Sequence, residues 1–304
     1  MREIIISEKD SNRRLDKFLT SYLNAAPYSL VNKWLRKKRI KLNGSKSSGG
    51  EIISAGDKII FYVSESSLDS LMIERQISES PPVDVVHEDD NIVIVNKPAG
   101  LLTHSASAND SDCLVSRVLY HLKQNGSYDP GPGATFTPAA CNRLDRNTSG
   151  IVIFGKTLHS LQEINAAIAD GKTKKIYLAV VDGIVTGKNA TSSMIIKNIK
   201  TNTVEVKKAN IVGSNQAKTE YECISTGANH SYLKITIVKG KPHQIRAHLA
   251  SEGHPVAGDR KYGGRPTNYM PAQLLHAHKL FYDGKIFTAP PPDSFTACVN
   301  DLCK

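Results

Sequence analysis

An α+β fold is expected: a larger domain with a central mixed, largely antiparallel sheet and flanking helices, behind a small N-terminal α/β domain. Three observations carry this. Strand-like stretches outnumber helical ones and do not alternate with them regularly, which argues against a doubly wound parallel sheet. At 304 residues the chain is too long for one small domain and suits two, one of them large. The positive charge is also uneven. Residues 1–65 hold 13 Lys and Arg against 7 Asp and Glu, so more than half of the net +10 lies in about a fifth of the chain. Domains over 1–65 and 83–304 follow, with a linker over 66–82 marked by Ser78-Glu79-Ser80-Pro81-Pro82.

In the N-terminal module, Leu15, Phe18, Leu19, Tyr22 and Leu23 fall on one face of a helix. Pro27 breaks it, and Ser29 is the expected N-cap of a second helix carrying Leu30, Val31, Trp34 and Leu35 inward. That helix runs into four consecutive cations, Arg36, Lys37, Lys38 and Arg39, which favour a surface that tracks phosphates. A strand over 40–42, the hairpin signal Asn43-Gly44 and a strand over 58–63 complete the module.

The larger domain opens with strand, turn and strand over 83–95, ending in the rigid turn Asn96-Lys97-Pro98-Ala99-Gly100. A helix holding Leu114, Val118, Leu119 and Leu122 follows, then a Gly/Pro loop over 129–138. The apolar run Ile151-Val152-Ile153-Phe154 reads as a buried strand, 161–168 as a helix and 175–181 as a strand. Residues 184–218 alternate weakly and suggest a β insertion. Strands over 217–221 and 232–238 lead through Gly240-Lys241-Pro242 into a helix over 243–249.

Composition narrows the function. Apolar and charged fractions of 40% and 22% are those of an ordinary globular protein. No apolar run nears the roughly 20 residues of a membrane span. The apolar core of Met1–Ser7 is too short for a signal peptide. Five scattered cysteines argue against a disulfide framework and fit a reducing cytoplasm. The net charge points to a polyanionic partner.

The chemistry is best placed at Cys141-Asn142-Arg143-Leu144-Asp145-Arg146-Asn147-Thr148-Ser149-Gly150. Two arginines flank one carboxylate just before a buried strand, and cationic neighbours favour the ionised form. A positioned carboxylate can act as nucleophile, base or stabiliser of a sugar cation. An Arg–Asp pair in a turn is the plain alternative for so short a motif. Other signals fail on spacing. Gly171-Lys172-Thr173 lacks the earlier glycine of a phosphate loop, and Ala166 stands there. His276 and His278 alternate on a strand, with Cys298 and Cys303 apart from them, so no metal site is expected.

From these residues the larger domain resembles the RluA-type family of RNA pseudouridine synthases over nearly all of 83–304. The blocks are Asn96–Leu101, Arg143-Leu144-Asp145 with Thr148-Ser149-Gly150, Lys175–Ala179, Gly240–His248 and Leu275-His276-Ala277, in the family's order. Residues 14–19, 38–44 and 55–59 are similar to the three blocks of an S-four-type RNA-binding domain. The resemblance implies isomerisation of uridine to pseudouridine by base flipping, with no cofactor, because nothing is oxidised and no group is added. It implies Asp145 as the carboxylate near ribose C1′, Arg246 as its partner and Tyr177 against the flipped base. It also implies Arg143 and Lys97 as RNA contacts beside Arg36–Arg39. Asn142 departs from the family's usual His, so no role there can need an imidazole. The expected partner is RNA, most of all large-subunit ribosomal RNA, for a cytoplasmic monomer with no membrane contact. The rivals are a non-catalytic RNA-binding or ribosome-assembly factor and an RNA glycosylase.

Overall fold

In a computed structural model of the chain, residues 1–107, 112–198, 203–207, 216–269 and 272–304 are described. They divide into two compact units. The first gathers Met1–Ser80 with Val118–Ala139 and Gly155–Gln162, and the second holds Pro81–Arg117, Ala140–Phe154 and Glu163–Lys304.

In the first unit the two expected helices form over Leu15–Tyr22 and Tyr28–Arg36. The second starts one residue before Ser29. Pro27 takes the N-cap position without a side-chain hydrogen bond, a consequence of its fixed φ ahead of the first turn. Leu15, Phe18, Leu19, Leu23, Val31, Trp34 and Leu35 are all buried in one core with Ile40, Ile59 and Phe61. A four-stranded antiparallel sheet runs in the order Arg2–Ile5, Lys58–Phe61, Ile40–Leu42, Ser45–Lys46. Asn43 and Gly44 turn it with φ of 49° and 76°, the left-handed pair that a tight hairpin needs. Arg36, Lys37, Lys38 and Arg39 are all exposed.

Part of the stretch expected as linker is structured. Ser64 caps a short helix, Glu65–Asp69, and Leu68 and Met72 enter the first unit's core. Residues 73–84 carry no regular secondary structure. The Gly/Pro loop belongs here too: Arg13 donates to Thr135 O at 3.1 Å, and Arg75 N donates to Pro130 O at 3.0 Å.

The second unit is built on a mixed sheet. Its order is Thr203–Lys207, Lys188–Asn198, Gln216–Thr226, His230–Ile237, Lys174–Asp182, Leu275–Tyr282, Ser149–Gly155, Ile92–Lys97, Val85–Glu88. Ser149–Gly155 pairs parallel with Leu275–Tyr282, whereas Lys174–Asp182 is antiparallel to both of its neighbours. The weakly alternating insertion is indeed β, over Lys188–Asn198 and Thr203–Lys207; its residues 199–202 and 208–215 lie outside the described set. Ile92, Ile94, Ile151, Ile153, Ile164 and Leu280 form one apolar cluster, and Leu178, Val180, Phe295 and Cys298 belong to another. The parallel pair fixes one glycine. A Cβ at Gly150 would stand 2.2 Å from Ala277 O, and φ there is 112°, so no other residue fits. A helix over Gln244–Ser251, buried from Gln244 to Leu249, and the C-terminal helix Asp293–Leu302 complete the unit. No helix among the described residues is long and apolar enough to cross a membrane.

Candidate active site

Asp145 lies in the loop that enters the strand Ser149–Gly155, and the loop is tied down on both sides of it. Before Asp145, the Asn142 side chain behaves like an extra peptide group. Its Oδ1 accepts the Ile153 N–H at 2.9 Å and its Nδ2 donates to Ile151 O at 3.3 Å. An uncharged amide does this with both its donor and its acceptor, which accounts for Asn where the resemblance leads one to expect His. Thr103 then brackets Leu144: its hydroxyl donates to Leu144 O at 3.1 Å, and Leu144 N returns a bond at 3.2 Å. After Asp145, Arg146 O accepts from Gly100 N at 3.0 Å and from Lys97 Nζ at 2.9 Å.

Lys97 is therefore not an RNA contact. It is fully buried, and its ammonium donates to Pro98 O, Leu101 O and Arg146 O at 2.7–2.9 Å. Three N–H groups meet three carbonyls, so none is left for a phosphate. Burial pushes the amine down to about 7, with the charge of Asp145 opposing.

The local arginines do not pair with Asp145 either. Arg146 turns its Nε to Gly100 O at 3.0 Å, and Arg143 is exposed at the lip of the cavity. The cation comes from 101 residues away. Arg246 NH1 donates to Asp145 Oδ2 at 2.7 Å, while its Nε and NH2 hold Asp259 at 2.6 and 2.7 Å. Its guanidinium lies over the Tyr262 ring, 5.0 Å from the centroid. Burial works against this charge, but Asp259 and Asp145 outweigh it and raise the guanidinium pKa. Two carboxylates share one guanidinium, the buried Asp259 through two bonds and Asp145 through one. Arg246 is thus oriented by Asp259 whether or not Asp145 is engaged.

Asp259, absent from the sequence-based set of site residues, is 1% exposed. It sits in a turn bounded by Gly258 and Gly264, and no local pattern in the sequence singled it out. Added Cβ atoms there would stand 2.3 Å from Ala272 O and 1.9 Å from Val256 O, so the Gly258–Gly264 turn is packed tightly against its neighbours. His243 is a second omission. It starts the helix in a left-handed conformation, φ 52° and ψ 16°, rare for a non-glycine residue. Its Nε2 is 3.7 Å from Asp145 Oδ1, and its Nδ1 is 2.8 Å from the Tyr262 hydroxyl.

A cavity of about 730 Å³ opens over this cluster, within the range of small-molecule sites. Asp145, Arg143, Tyr177, His243, Arg246 and Ile237 are among its walls. Tyr177 comes from the strand Lys174–Asp182, between Ile235 and Ala277 of the neighbouring strands. Burial first, and the charge of Asp145 second, push its phenol above the ordinary value, so it presents a neutral O–H. His276 and His278 both face Ala289 O, at 3.0 and 2.8 Å. Among the described residues no group of three His, Cys, Asp or Glu stands close enough to hold a metal.

The site can thus present an oriented carboxylate, one oxygen bound and one open, to a planar group lying on Tyr177. The family model for RNA pseudouridylate synthase matches residues 91–251. An uncharacterised RNA pseudouridine synthase of Bacillus subtilis is 28% identical, over 99% of this chain and 96% of its own. One of Mycoplasma pneumoniae is 30% identical over 89% of this chain and 84% of its own. Ribosomal large subunit pseudouridine synthase D of Haemophilus influenzae is 27% identical over 98% of this chain and 93% of its own. The fold is that of human RNA pseudouridylate synthase domain containing 4, with a TM-score of 0.58, 19% identity, and coverage of 71% of this chain and 92% of the other. With more than half of its residues inside the family model and relatives aligned along nearly its whole length, the chain belongs to the RNA pseudouridylate synthase family, enzymes that isomerise uridine in RNA.

Proposed function

We propose that this enzyme converts uridines of large-subunit ribosomal RNA to pseudouridine, with Asp145 as the carboxylate that acts at ribose C1′. The observation that carries the mechanism is the division of labour at that carboxylate. Arg246 holds Oδ2 at 2.7 Å while Oδ1 stays open to the cavity. The ribosomal substrate rests on relatives that bear that name, such as the Haemophilus influenzae protein.

In this reading the target uridine leaves the stack and enters the cavity, and Arg143 at the lip fills or grips the place it left. Such extrusion costs a few kcal/mol, offset by contacts in the pocket. Asp145 breaks the bond between base and C1′, either by attack on C1′ or along a glycal-type path. The detached uracil turns against Tyr177, whose neutral phenol serves as a wall and hydrogen-bond donor, and rejoins through C5. The bond to Asp145 or the glycal is given up, C5 loses its proton and N1 gains one, so the mass is unchanged. No outside group enters, so the work of the site is to hold the base and keep water out.

The first unit supplies the general grip on RNA. Residues 1–65 act as an S-four-type domain, with Arg36, Lys37, Lys38 and Arg39 tracking phosphates, and the chain after Met72 serves as linker. The enzyme works as a cytoplasmic monomer.

Pseudouridine mapping of ribosomal RNA from cells with and without the protein tests the proposal. Sites lost from large-subunit RNA, and restored by the purified enzyme with no change in RNA mass, are expected. Release of free uracil would instead mark a glycosylase, and binding without either product would mark an assembly factor.

A further inference from the structure

The mechanism leaves one group beside Asp145 without a task. We infer that His243 is a positioning residue for the open oxygen of Asp145, with its ring orientation and tautomer set by Tyr262. The inference rests on the reading of Asp145 as the C1′ carboxylate.

The hydrogen bonds fix the ring. The Tyr262 hydroxyl accepts the Val204 N–H at 2.9 Å, so its single proton is free to point at His243 Nδ1, 2.8 Å away. Nδ1 is then the acceptor and Nε2 carries the ring proton. The Tyr262 ring stands edge-on to the imidazole at 89°, with centroids 5.7 Å apart, which limits rotation. Nε2–H therefore faces Asp145 Oδ1 at 3.7 Å, just outside hydrogen-bond range, while Oδ2 is committed to Arg246. The two carboxylate oxygens are made unequal, and a small movement of Asp145 brings Oδ1 under the N–H.

The backbone supports a built feature. A left-handed non-glycine residue is strained and persists only where its surroundings demand it. Here it starts the helix that carries Arg246 one turn later, so one short segment flanks both oxygens of Asp145. The groups facing the imidazole are Asp145 from the loop, Arg246 from the same helix, and Asp259, Lys261 and Tyr262 from the following turn. Burial, Arg246 and Lys261 outweigh the two carboxylates and lower its pKa, so the ring is neutral at pH 7. Protonation below that would set a cation against Asp145 and hold Oδ1 in an ion pair.

Asn and Gln separate the ring's two ends. His243→Asn tolerates the left-handed backbone and keeps an atom near the Nδ1 position, but cannot reach Asp145. His243→Gln keeps an N–H near the Nε2 position. In single-turnover reactions at saturating RNA, His243→Asn should lose on the order of 30–100-fold in rate with RNA affinity unchanged, the scale expected for a misplaced reacting group. His243→Gln should stay within about fivefold and lose the acid-side fall in rate that protonation of the imidazole predicts for the wild type. A second readout needs no activity. Ring nitrogen chemical shifts should report the Nε2–H tautomer in the wild type and a mixture in Tyr262→Phe. Wild-type rates in His243→Asn, a Gln variant no better than Asn, or an Nδ1–H tautomer in the wild type would each overturn the assignment. If the wild type forms no pseudouridine in any RNA, the proposed function falls and takes this inference with it; if only the His243 variants are indifferent, the inference alone falls.

Discussion

Two sets of cations, one in each unit, are used in opposite ways. In the first, Arg36, Lys37, Lys38 and Arg39 are exposed, and none of them meets a carboxylate among the described residues. In the second, Lys97 and Arg246 are 0% and 6% exposed, and every bond they make has a named acceptor. Exposed charges act through a field that salt screens, and their contributions are small and nearly additive. Buried charges act through direction, and losing one partner leaves the other stranded. The same side chains therefore serve as a diffuse attractor in one place and as fixed joints in the other.

The buried cluster gives the largest expected effect. Asp145→Asn should lower pseudouridine formation by about four orders of magnitude or more, as when a covalent nucleophile is removed. Fold and RNA affinity should persist, because Asp259 keeps Arg246 neutralised and oriented without Asp145. Turnover by this variant within about a hundredfold of wild type would remove the carboxylate from the mechanism.

Lys97 separates a joint from an attractor. Lys97→Met has nearly the same shape but leaves the carbonyls of Pro98 and Leu101 without this donor. A loss of about 3 kcal/mol in denaturant unfolding is expected, with the salt dependence of RNA binding unchanged. A salt slope lower by about one would restore Lys97 as a phosphate contact.

Burial is also what decided how much could be read from the sequence. Periodicity revealed the helices with one apolar face, and Leu15, Phe18, Trp34 and Leu35 went where their spacing put them. The carboxylate itself was legible because Asp145 is close in sequence to the strand that presents it. Its cation was not legible from spacing: Arg143 and Arg146 are nearer in the chain, yet loop geometry sends Arg146 to Gly100 O and leaves Arg143 at the lip. Arg246 entered through family resemblance alone. Asp259 and the bonding of Lys97 depend on how tight turns pack, which local patterns do not encode.

Histidine extends the contrast to a charge that is refused. His276 is 0% exposed, takes the Ser149 hydroxyl at Nδ1 (2.9 Å) and faces Ala289 O with Nε2 (3.0 Å), and burial lowers its pKa to about 4. The unfolded chain binds this proton near pH 6.5, as an ordinary histidine does, and the folded chain does not until about pH 4. Stability is thus whole above about 6.5, falls as the pH drops toward 4, and levels off below. The loss is on the order of 3 kcal/mol. His276→Gln should flatten that segment of the stability–pH curve, and an unchanged slope would mean the imidazole is charged when folded.

The smallest effect per residue is expected from the exposed cluster. Replacing Arg36, Lys37 and Lys38 together with Gln should weaken RNA binding roughly tenfold at low salt. It should also reduce the slope of log affinity against log salt by about two to three, one counterion per lost contact. Folding should be unaffected, since no described carboxylate depends on these groups, and the single-turnover rate at saturating RNA should match wild type. The comparison breaks if the rate falls while the slope holds, because the cluster would then be acting on the reacting base through geometry, as the buried cations do. It sharpens if single substitutions each give about a third of that reduction in slope, since additive loss is the signature of charges that act through a field.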